Sequence, residues 1–395
     1  MLSITQPEFG VTGTPLLDDF RTRKFTQEIR ALVPIGTQLE WLIGGFYTHE
    51  DSPNMQTTLA ENATTGAVVS EPDVLSFPTQ YSEYAAFTDL TVHWGDRFDL
   101  QVGARESQIR ESGSEYEHGP YVPFFDLVPS PWSLPEFHNS ANAFTYLVTP
   151  RFSLTPDIMV YGRLASGYRP GGINTSPDVP LRFNPDKTEN FELGAKAGFL
   201  DRRLSVDVSA YYIDWKNVQI SLLNPQYYGY NANAGKAKSE GLELQLEARP
   251  TPGLVISASS ALGKAILTDS FPANTAAIGN SGDPLPYSTR FSGQLSAEQS
   301  FVITSQVSAF LGGSVSYVGD RQGEFSSSIP RQDLPAYART DVRVGARYRS
   351  WTASLFATNL TDRRGLIGGG QGTYPPFAFS YIRPRAIGVL LTGTF

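Results

Sequence analysis

The chain of 395 residues contains no cysteine and only four histidines. The missing thiols exclude disulfides, thiolate metal sites and cysteine nucleophiles. Charged residues make up only 18% of the chain, against roughly 25% in typical soluble domains. The formal net charge is −8 and no basic run is present, so the charge argues against nucleic acid as a partner.

Long apolar runs are also missing. No stretch approaches the ~20 consecutive apolar residues that a membrane-spanning helix needs, and the mean hydropathy is −0.23. The first residues lack the basic and then apolar pattern of a signal peptide. No phosphate-binding loop, nucleophile elbow or pair of histidines at helical spacing occurs. The sequence therefore predicts neither an enzyme nor a bound cofactor.

What the chain has in plenty is aromatic residues and glycine. Aromatics reach 12%, with 19 Tyr and 24 Phe, beside 36 Gly. Few charges, many aromatics and modest hydropathy are together typical of a membrane β-barrel, whose apolar outer face is diluted by polar lumen residues and loops. The C-terminal residues 386–395 alternate in period two, which indicates a strand with one apolar face. The last strand of a soluble sandwich is the alternative for this stretch alone.

Similar alternation recurs along the whole chain. Leu242, Leu244 and Leu246 alternate with polar neighbours at 243, 245 and 247, so the leucines are predicted to face lipid and the polar residues the lumen. About 15 strands are predicted, one of them over residues 203–222, joined alternately by short turns, such as residues 94–96, and long loops, such as residues 50–79 and 111–140. The predicted lumen face also carries charges, for which a hydrated wall is the simplest interpretation: Glu192, Lys196, Asp207, Glu243, Glu247, Asp341, Arg343 and Arg347.

We therefore predict an all-β fold, a transmembrane antiparallel β-barrel with short periplasmic turns and long extracellular loops. Bacterial barrels carry an even number of strands. The odd count of about 15 thus leads us to expect that residues 1–395 are the C-terminal part of a larger barrel that is truncated at its N-terminus.

Four stretches, in order, resemble the C-terminal part of TonB-dependent outer-membrane receptors. The first is VYGRLASGYRPGG at residues 160–172, and the second joins ENFELGAK at 189–196 to AYYIDWKNVQ at 210–219. The third is NAGKAKSEGLE at 233–243. The fourth is ATNLTD at 357–362 with RPR at 383–385 and the terminal Phe395. The resemblance extends from about Phe25 to Phe395.

The resemblance implies a barrel of the 22-stranded type, of which about 15 strands are present and the plug domain is missing. It implies a location in the bacterial outer membrane, in contact with its lipid. It also implies uptake of a scarce ligand, such as an iron–siderophore complex, driven by the TonB energy-coupling protein through the missing N-terminal region. Barrel-assembly machinery would recognise the last strand, which ends at Phe395. A passive porin-like channel and a non-functional receptor fragment are the alternatives.

The ligand-binding candidates are seven aromatic residues and one arginine in or beside the predicted long loops. Aromatic faces can hold a flat hydrophobic ligand, whereas the alternatives are packing within the loop or an interfacial girdle. His118 and His138 share the loop with three glutamates, but their spacing matches no known ligand pattern, so an exposed acidic loop is preferred to a metal site. The candidate set is Tyr116, Tyr121, Phe124, Phe125, Trp132, Tyr168, Arg169 and Tyr228.

Overall fold

A computed structural model describes residues 2–125, 128–174, 179–223, 229–233, 235–271, 278–325, 331–370 and 378–394. Its core is one antiparallel sheet that contains 15 long strands, which we number along the chain. They are β1 Arg23–Ile35, β2 Leu39–Ser52, β3 Thr79–Trp94, β4 Phe98–His118, β5 Trp132–Thr155, β6 Ile158–Arg169, β7 Asp186–Phe199, β8 Leu204–Lys216, β9 Lys236–Ala248, β10 Leu254–Leu267, β11 Phe291–Val302, β12 Val307–Val318, β13 Tyr337–Tyr348, β14 Trp351–Thr358 and β15 Ala386–Gly393.

Each long strand pairs with its neighbours in the chain, so the order in the sheet follows the order in the sequence. Within the described residues β1 pairs only with β2, and β15 only with β14. The predicted number of about 15 strands and their antiparallel pairing are confirmed. No helix in the described part of the chain is long and apolar enough to cross a membrane. The two helices are α1, Leu2–Phe9, and α2, Val122–Phe125.

The connections alternate in length as predicted. Short turns, of which residues 95–97 and 349–350 are examples, all lie at one end of the sheet, and long connections lie at the other. Gly95 adopts a φ of 64° with nothing near its Cα that would obstruct a side chain. Because space is available for a side chain, glycine is favoured there by the left-handed backbone conformation of the three-residue turn. We call the two sides the short-turn end and the long-loop end.

The two faces of the sheet follow the predicted alternation. Across the seven neighbouring strands β7 to β13, one register row is almost entirely apolar and the next almost entirely polar. Because pairing joins residues of the same face, each row runs unbroken around the wall. The apolar row is Ala197, Val206, Leu246, Ala258, Leu295, Val315 and Thr340. The polar row is Lys196, Asp207, Gln245, Ser259, Gln294, Ser316 and Arg339.

Three predicted boundaries were wrong. The loop predicted at residues 111–140 is mostly strand, because β4 and β5 continue as a paired hairpin and leave only residues 119–131 between them. The insert at 50–79 also contains paired strands, Met55–Glu61 and Val68–Ser76. The strand predicted over residues 203–222 breaks at Asn217, whose φ is 56°; asparagine tolerates this left-handed conformation better than most residues.

Candidate ligand site at the long-loop end

The resemblance motifs hold the long connections together through side-chain hydrogen bonds to backbone. Arg169 Nη2 lies 2.5 Å from Asp186 Oδ2, and the Asp186 side chain is buried. The Gln219 amide donates to the carbonyls of Pro170 at 2.8 Å and Asn184 at 3.0 Å. Asn233 binds Asn184 through both its amide and its carbonyl group. Arg169, one of the predicted ligand residues, thus joins the end of β6 to the start of β7 and to the Gln219 carbonyl.

The C-terminal motif has a similar role. The buried Asn359 donates from Nδ2 to the carbonyls of Arg363 and Arg383, both at 2.9 Å. Asp362 Oδ1 accepts the backbone N–H of Arg385 at 2.9 Å. This hydrogen bond lowers the pKa of the Asp362 carboxyl because it favours the ionised form. These contacts fix the connection that leads into β15. Phe395 lies outside the described residues.

A polar cluster joins β3 and β4 to Tyr168, another predicted ligand residue, which lies near the end of β6. The Glu83 carboxylate accepts from Arg105 at 2.7 Å, from Tyr81 at 3.0 Å and from Tyr168 at 3.5 Å. The Arg105 guanidinium also lies over the Phe46 ring, 4.8 Å from its centroid. Glu83 and Arg105 belong to no motif that is recognisable in the sequence. Their only sequence signal is a charge of each sign on two predicted strands, and the pairing of β3 with β4 brings them together.

The aromatic residues predicted as one group are separated by the β4–β5 hairpin. Tyr116 pairs across the hairpin with Ser133, and Trp132 pairs with Glu117. Because successive strand residues point to opposite faces, Tyr116 and Trp132 lie on opposite faces of the hairpin. Tyr116 is 48% exposed and contacts His118, whereas Trp132 is half-buried.

Tyr121 lies in the interior of the loop rather than at its surface. Its side chain is fully buried, and its ring is 5.9 Å from that of Phe9 in α1. Burial raises the pKa of Tyr121, and the negative charge of the Glu8 carboxylate raises it further. Phe124 and Phe125 belong to α2, but their side chains are outside the described residues, as is the whole of Tyr228.

A separate hydrophobic core connects several of the long loops. Phe271 and Phe325 pack edge to face with ring centroids 4.9 Å apart. The cluster combines residues from three connections and from the ends of β9 and β10, so it holds loops that are distant in the sequence: Val218, Leu222, Ala237, Leu267, Phe271 and Phe325. Within the described ranges, no group of three or more His, Asp or Glu side chains is arranged to hold a metal ion.

The comparisons with known proteins agree on one family. A profile described as "TonB dependent receptor-like, beta-barrel" matches residues 5–360. The chain is 30% identical over 225 residues to the metal-pseudopaline receptor CntO of Pseudomonas aeruginosa, covering 55% of this chain and 30% of that protein. It is 34% identical over 174 residues to the pesticin receptor of Yersinia enterocolitica, covering 43% of this chain and 24% of that protein. The chain thus spans less than a third of the length of these relatives.

Solved structures show the same fold. The ferric yersiniabactin uptake receptor FyuA of Yersinia pestis superposes with a TM-score of 0.78 at 21% identity, covering 97% of this chain and 56% of that one. The ferric-catecholate import receptor Fiu of Escherichia coli gives a TM-score of 0.70 at 17% identity, covering 95% of this chain and 55% of that one. The family consists of receptors rather than enzymes, and its members lie in the outer membrane, as predicted for this chain. The chain belongs to the TonB-dependent receptors, within their β-barrel.

Proposed function

We propose that the chain forms part of the wall and the extracellular loops of an outer-membrane receptor that takes up a scarce metal chelate. Uptake would be energised by the TonB coupling protein, and the short-turn end would face the periplasm. The observation that carries the proposal is the family match over residues 5–360, on a wall with one polar and one apolar face. Relatives described as a metal-pseudopaline receptor and a ferric yersiniabactin receptor support a metal chelate as the ligand.

Two membrane contacts accompany this proposal. The apolar outer face would meet the acyl chains of the outer membrane, since Leu193 and Val389 are 71% and 72% exposed on it. The strand that ends the chain, β15, would be recognised by the barrel-assembly machinery during insertion. The chain itself would bind and pass the ligand without making or breaking covalent bonds.

The proposed function is tested by deleting the gene for this chain in its host and measuring uptake of ⁵⁵Fe from a panel of ferric chelates under iron restriction. We expect uptake of at least one chelate to fall and to be restored by the complementing gene. A second deletion, of the coupling protein, should abolish the same uptake. Uptake that needs this gene but not the coupling protein would indicate a passive channel, and unchanged uptake of every chelate would contradict the receptor.

Within this function we propose that the β4–β5 hairpin contributes ligand contacts through one of its two faces. Tyr116 and Trp132 are on opposite faces, so Tyr116→Ala and Trp132→Ala should not weaken binding equally. Loss of ring stacking, about 0.5–1.5 kcal/mol per pair, would lower affinity by roughly two- to tenfold for the variant on the ligand's face.

Tyr121 would act indirectly, because its buried ring supports the hairpin tip. Tyr121→Phe keeps that ring and serves as the control in calorimetric titrations of the receptor with the chelate identified by uptake. If Tyr116→Ala and Trp132→Ala both bind like the unmodified receptor, the aromatic residues of this hairpin only pack the loop.

A further inference from the structure

Lysine is distributed unevenly over the molecule. The chain contains only seven lysines, and five of them lie at the long-loop end of four neighbouring strands, β7 to β10. Successive strand residues alternate between the two faces, and all five share the face of the apolar row, because each lies an even number of residues from a member of that row. The five are Lys187, Lys216, Lys236, Lys238 and Lys264.

Three of these lysines are direct neighbours across the strands. Lys216 is opposite Lys187 on one side and opposite Lys236 on the other, and we call these three the lysine row. Like charges directly opposite one another destabilise a sheet. Lys216 itself is balanced by Glu189 at 3.2 Å and Asp214 at 3.3 Å.

The counter-charges around the five lysines are incomplete. Within the described ranges, neither Lys187 nor Lys264 has a carboxylate at ion-pair distance. Lys264 is directly across from Glu240, but that carboxylate is bound by Lys238 at 3.1 Å. The carboxylates paired with the five lysines are Glu189, Asp214, Glu240 and Asp269. Five cations against four carboxylates leave a formal charge of +1, so an added anion would reduce the repulsion in the lysine row.

Towards the short-turn end the same face becomes first aromatic and then apolar with small residues. Phe191 and Tyr212 are in contact, with ring centroids 6.5 Å apart, and Lys238 Nζ lies 5.9 Å from the centre of the Tyr212 ring. Beyond them lies a groove of about 560 Å³, where small residues leave space between larger ones. On this face the groove is lined by Phe152, Gly162, Leu193, Ala195, Ala210 and Leu242.

The spacing between the lysine row and the groove corresponds to one leaflet of a membrane. Ala210 is six residues from Lys216 along β8, which is about 20 Å at ~3.3 Å per residue. With the ~40° strand tilt of membrane barrels this distance is about 15 Å along the membrane normal, or about half of the ~30 Å hydrocarbon core. A lipid with its phosphate at the lysine row would therefore reach the groove with an acyl chain.

We propose that the outer face of β7 to β10 binds a phosphorylated lipid of the leaflet at the long-loop end. The lysine row holds the phosphate, Lys264 adds positive potential beside it, and the groove takes an acyl chain. The inference rests on the membrane contact in the proposed function, and it replaces a general contact with lipid by one defined site. Clusters of basic residues at the level of the headgroups attract anionic lipids in this way.

The test uses the whole protein, isolated from the outer membrane of its host in a non-ionic detergent. It is titrated with phosphatidic acid and with diacylglycerol, both labelled on the same acyl chain, and binding is followed by fluorescence anisotropy. We expect phosphatidic acid to bind with an affinity that falls as salt is added, and diacylglycerol to bind at least tenfold more weakly. Lys187→Gln combined with Lys236→Gln should weaken phosphatidic acid binding about tenfold or more, since each basic residue near an anionic headgroup contributes about fivefold.

The remaining two lysines of the chain provide the matched control, Lys24→Gln combined with Lys196→Gln. Both are paired, with Glu50 and Asp207, and Lys196 belongs to the polar row. We expect this control to change the affinity less than twofold, and Lys187→Arg combined with Lys236→Arg, which keeps the charge, to retain binding. Heat-resistant gel mobility confirms that each variant is folded. Equal losses in the two glutamine double variants, or equal binding of the two lipids, would overturn the proposal.

The groove is tested separately by filling it. Ala210→Phe should weaken phosphatidic acid binding about fivefold, whereas Ala353→Phe, on the same face of β14 opposite the exposed Leu391, should not. Unchanged affinity in Ala210→Phe would overturn the placement of the acyl chain. Inorganic phosphate that displaces the labelled lipid as effectively as unlabelled phosphatidic acid does would assign the lysine row to a soluble anion and overturn the lipid.

Failure of the proposed function gives a different result. If the lysine variant loses lipid binding while deletion of the gene leaves chelate uptake unchanged, the lipid site is retained and only the receptor is refuted. If deletion abolishes uptake while the purified protein binds both lipids equally, only the lipid site is refuted.

Discussion

The wall of the sheet and its long-loop end are held together by different interactions. In the wall, backbone ladders join neighbours in the sequence, and each strand alternates between a polar and an apolar row. At the long-loop end, Val218, Phe271 and Phe325 come from three separate connections to form one core. Side chains such as Asn359 and Gln219 bind backbone carbonyls across loops. Changes in the loops should therefore act locally, whereas changes in the wall should act through its contact with lipid or lumen.

The largest effect is expected for Phe271→Ala in the loop core. Removing a buried phenylalanine lowers the free energy of unfolding by about 3–5 kcal/mol. We expect this loss to destabilise the loops and not the wall. Hydrogen exchange and limited proteolysis should show loss of protection over residues 268–271 and 278–290, while heat-resistant gel mobility of the wall remains. The control is Phe291→Ala, whose ring is 43% exposed on the wall. Loss of the wall's gel mobility in Phe271→Ala would contradict the separation of the two regions.

The next largest effect is expected when an arginine is placed on the apolar face of the wall, in comparison with the adjacent position on the polar face. Leu244 pairs with Val208 and Ser260, and Gln245 with Asp207 and Ser259. Leu244→Arg should place a cation on the lipid face at a cost of about 2–4 kcal/mol near the midplane. Gln245→Arg should cost little, because it adds a cation opposite Asp207. Equal urea sensitivity of the two folded variants in lipid vesicles would show that the faces are assigned wrongly.

A smaller effect is expected where the wall meets the loops, at Glu83. Glu83→Gln leaves the Arg105 guanidinium without its counter-charge and should cost about 1–3 kcal/mol. Adding Arg105→Met should recover part of that loss, since no unpaired charge remains. Arg21→Gln is the control because its ion pair is exposed and worth only about 0–1 kcal/mol. A double variant no more stable than Glu83→Gln in urea titrations would argue against an energetically coupled pair.

The smallest effect is the pH dependence of the connection into β15. The pKa of Asp362 is lowered in the folded chain, so its stabilising contribution is present above the unfolded pKa and is lost as pH falls through the folded one. Exchange of the Arg385 amide, corrected for intrinsic rate, should be less protected in acid than at neutral pH. In Asp362→Asn this difference should vanish. Persistence of the pH dependence in that variant would assign it to another group.

Strand positions were largely predictable, and the reason is local. Leu242, Leu244 and Leu246 reveal their face through period two, and pairing merely aligns that pattern with β8 and β10. The boundaries at the long-loop end were not predictable in the same way. Above the level of the lipid the outer face of a strand also meets water, so β4 and β5 lose the contrast between faces while their pairing continues to His118 and Trp132.

In the candidate site as well, some residues were recognisable from the sequence and others were not. The motif around Arg169 was visible in the sequence, but its structural role depends on Asp186, which follows a connection of 16 residues. Phe271 and Phe325 carry no recognisable spacing, because they reach one core from separate connections. Residues brought together by loops have no sequence signal of their own, in contrast to residues on alternating strand positions.

By itself the sequence determined the strands, their faces, the sidedness of the connections and the family, since side-chain alternation and turn length act between near neighbours. The tertiary structure alone decided which aromatic residues meet. It put Tyr116 and Trp132 on opposite faces of one hairpin and packed Tyr121 against Phe9, more than a hundred residues earlier. Such contacts depend on strand register and on burial between distant segments, and neither quantity is encoded in composition or local period.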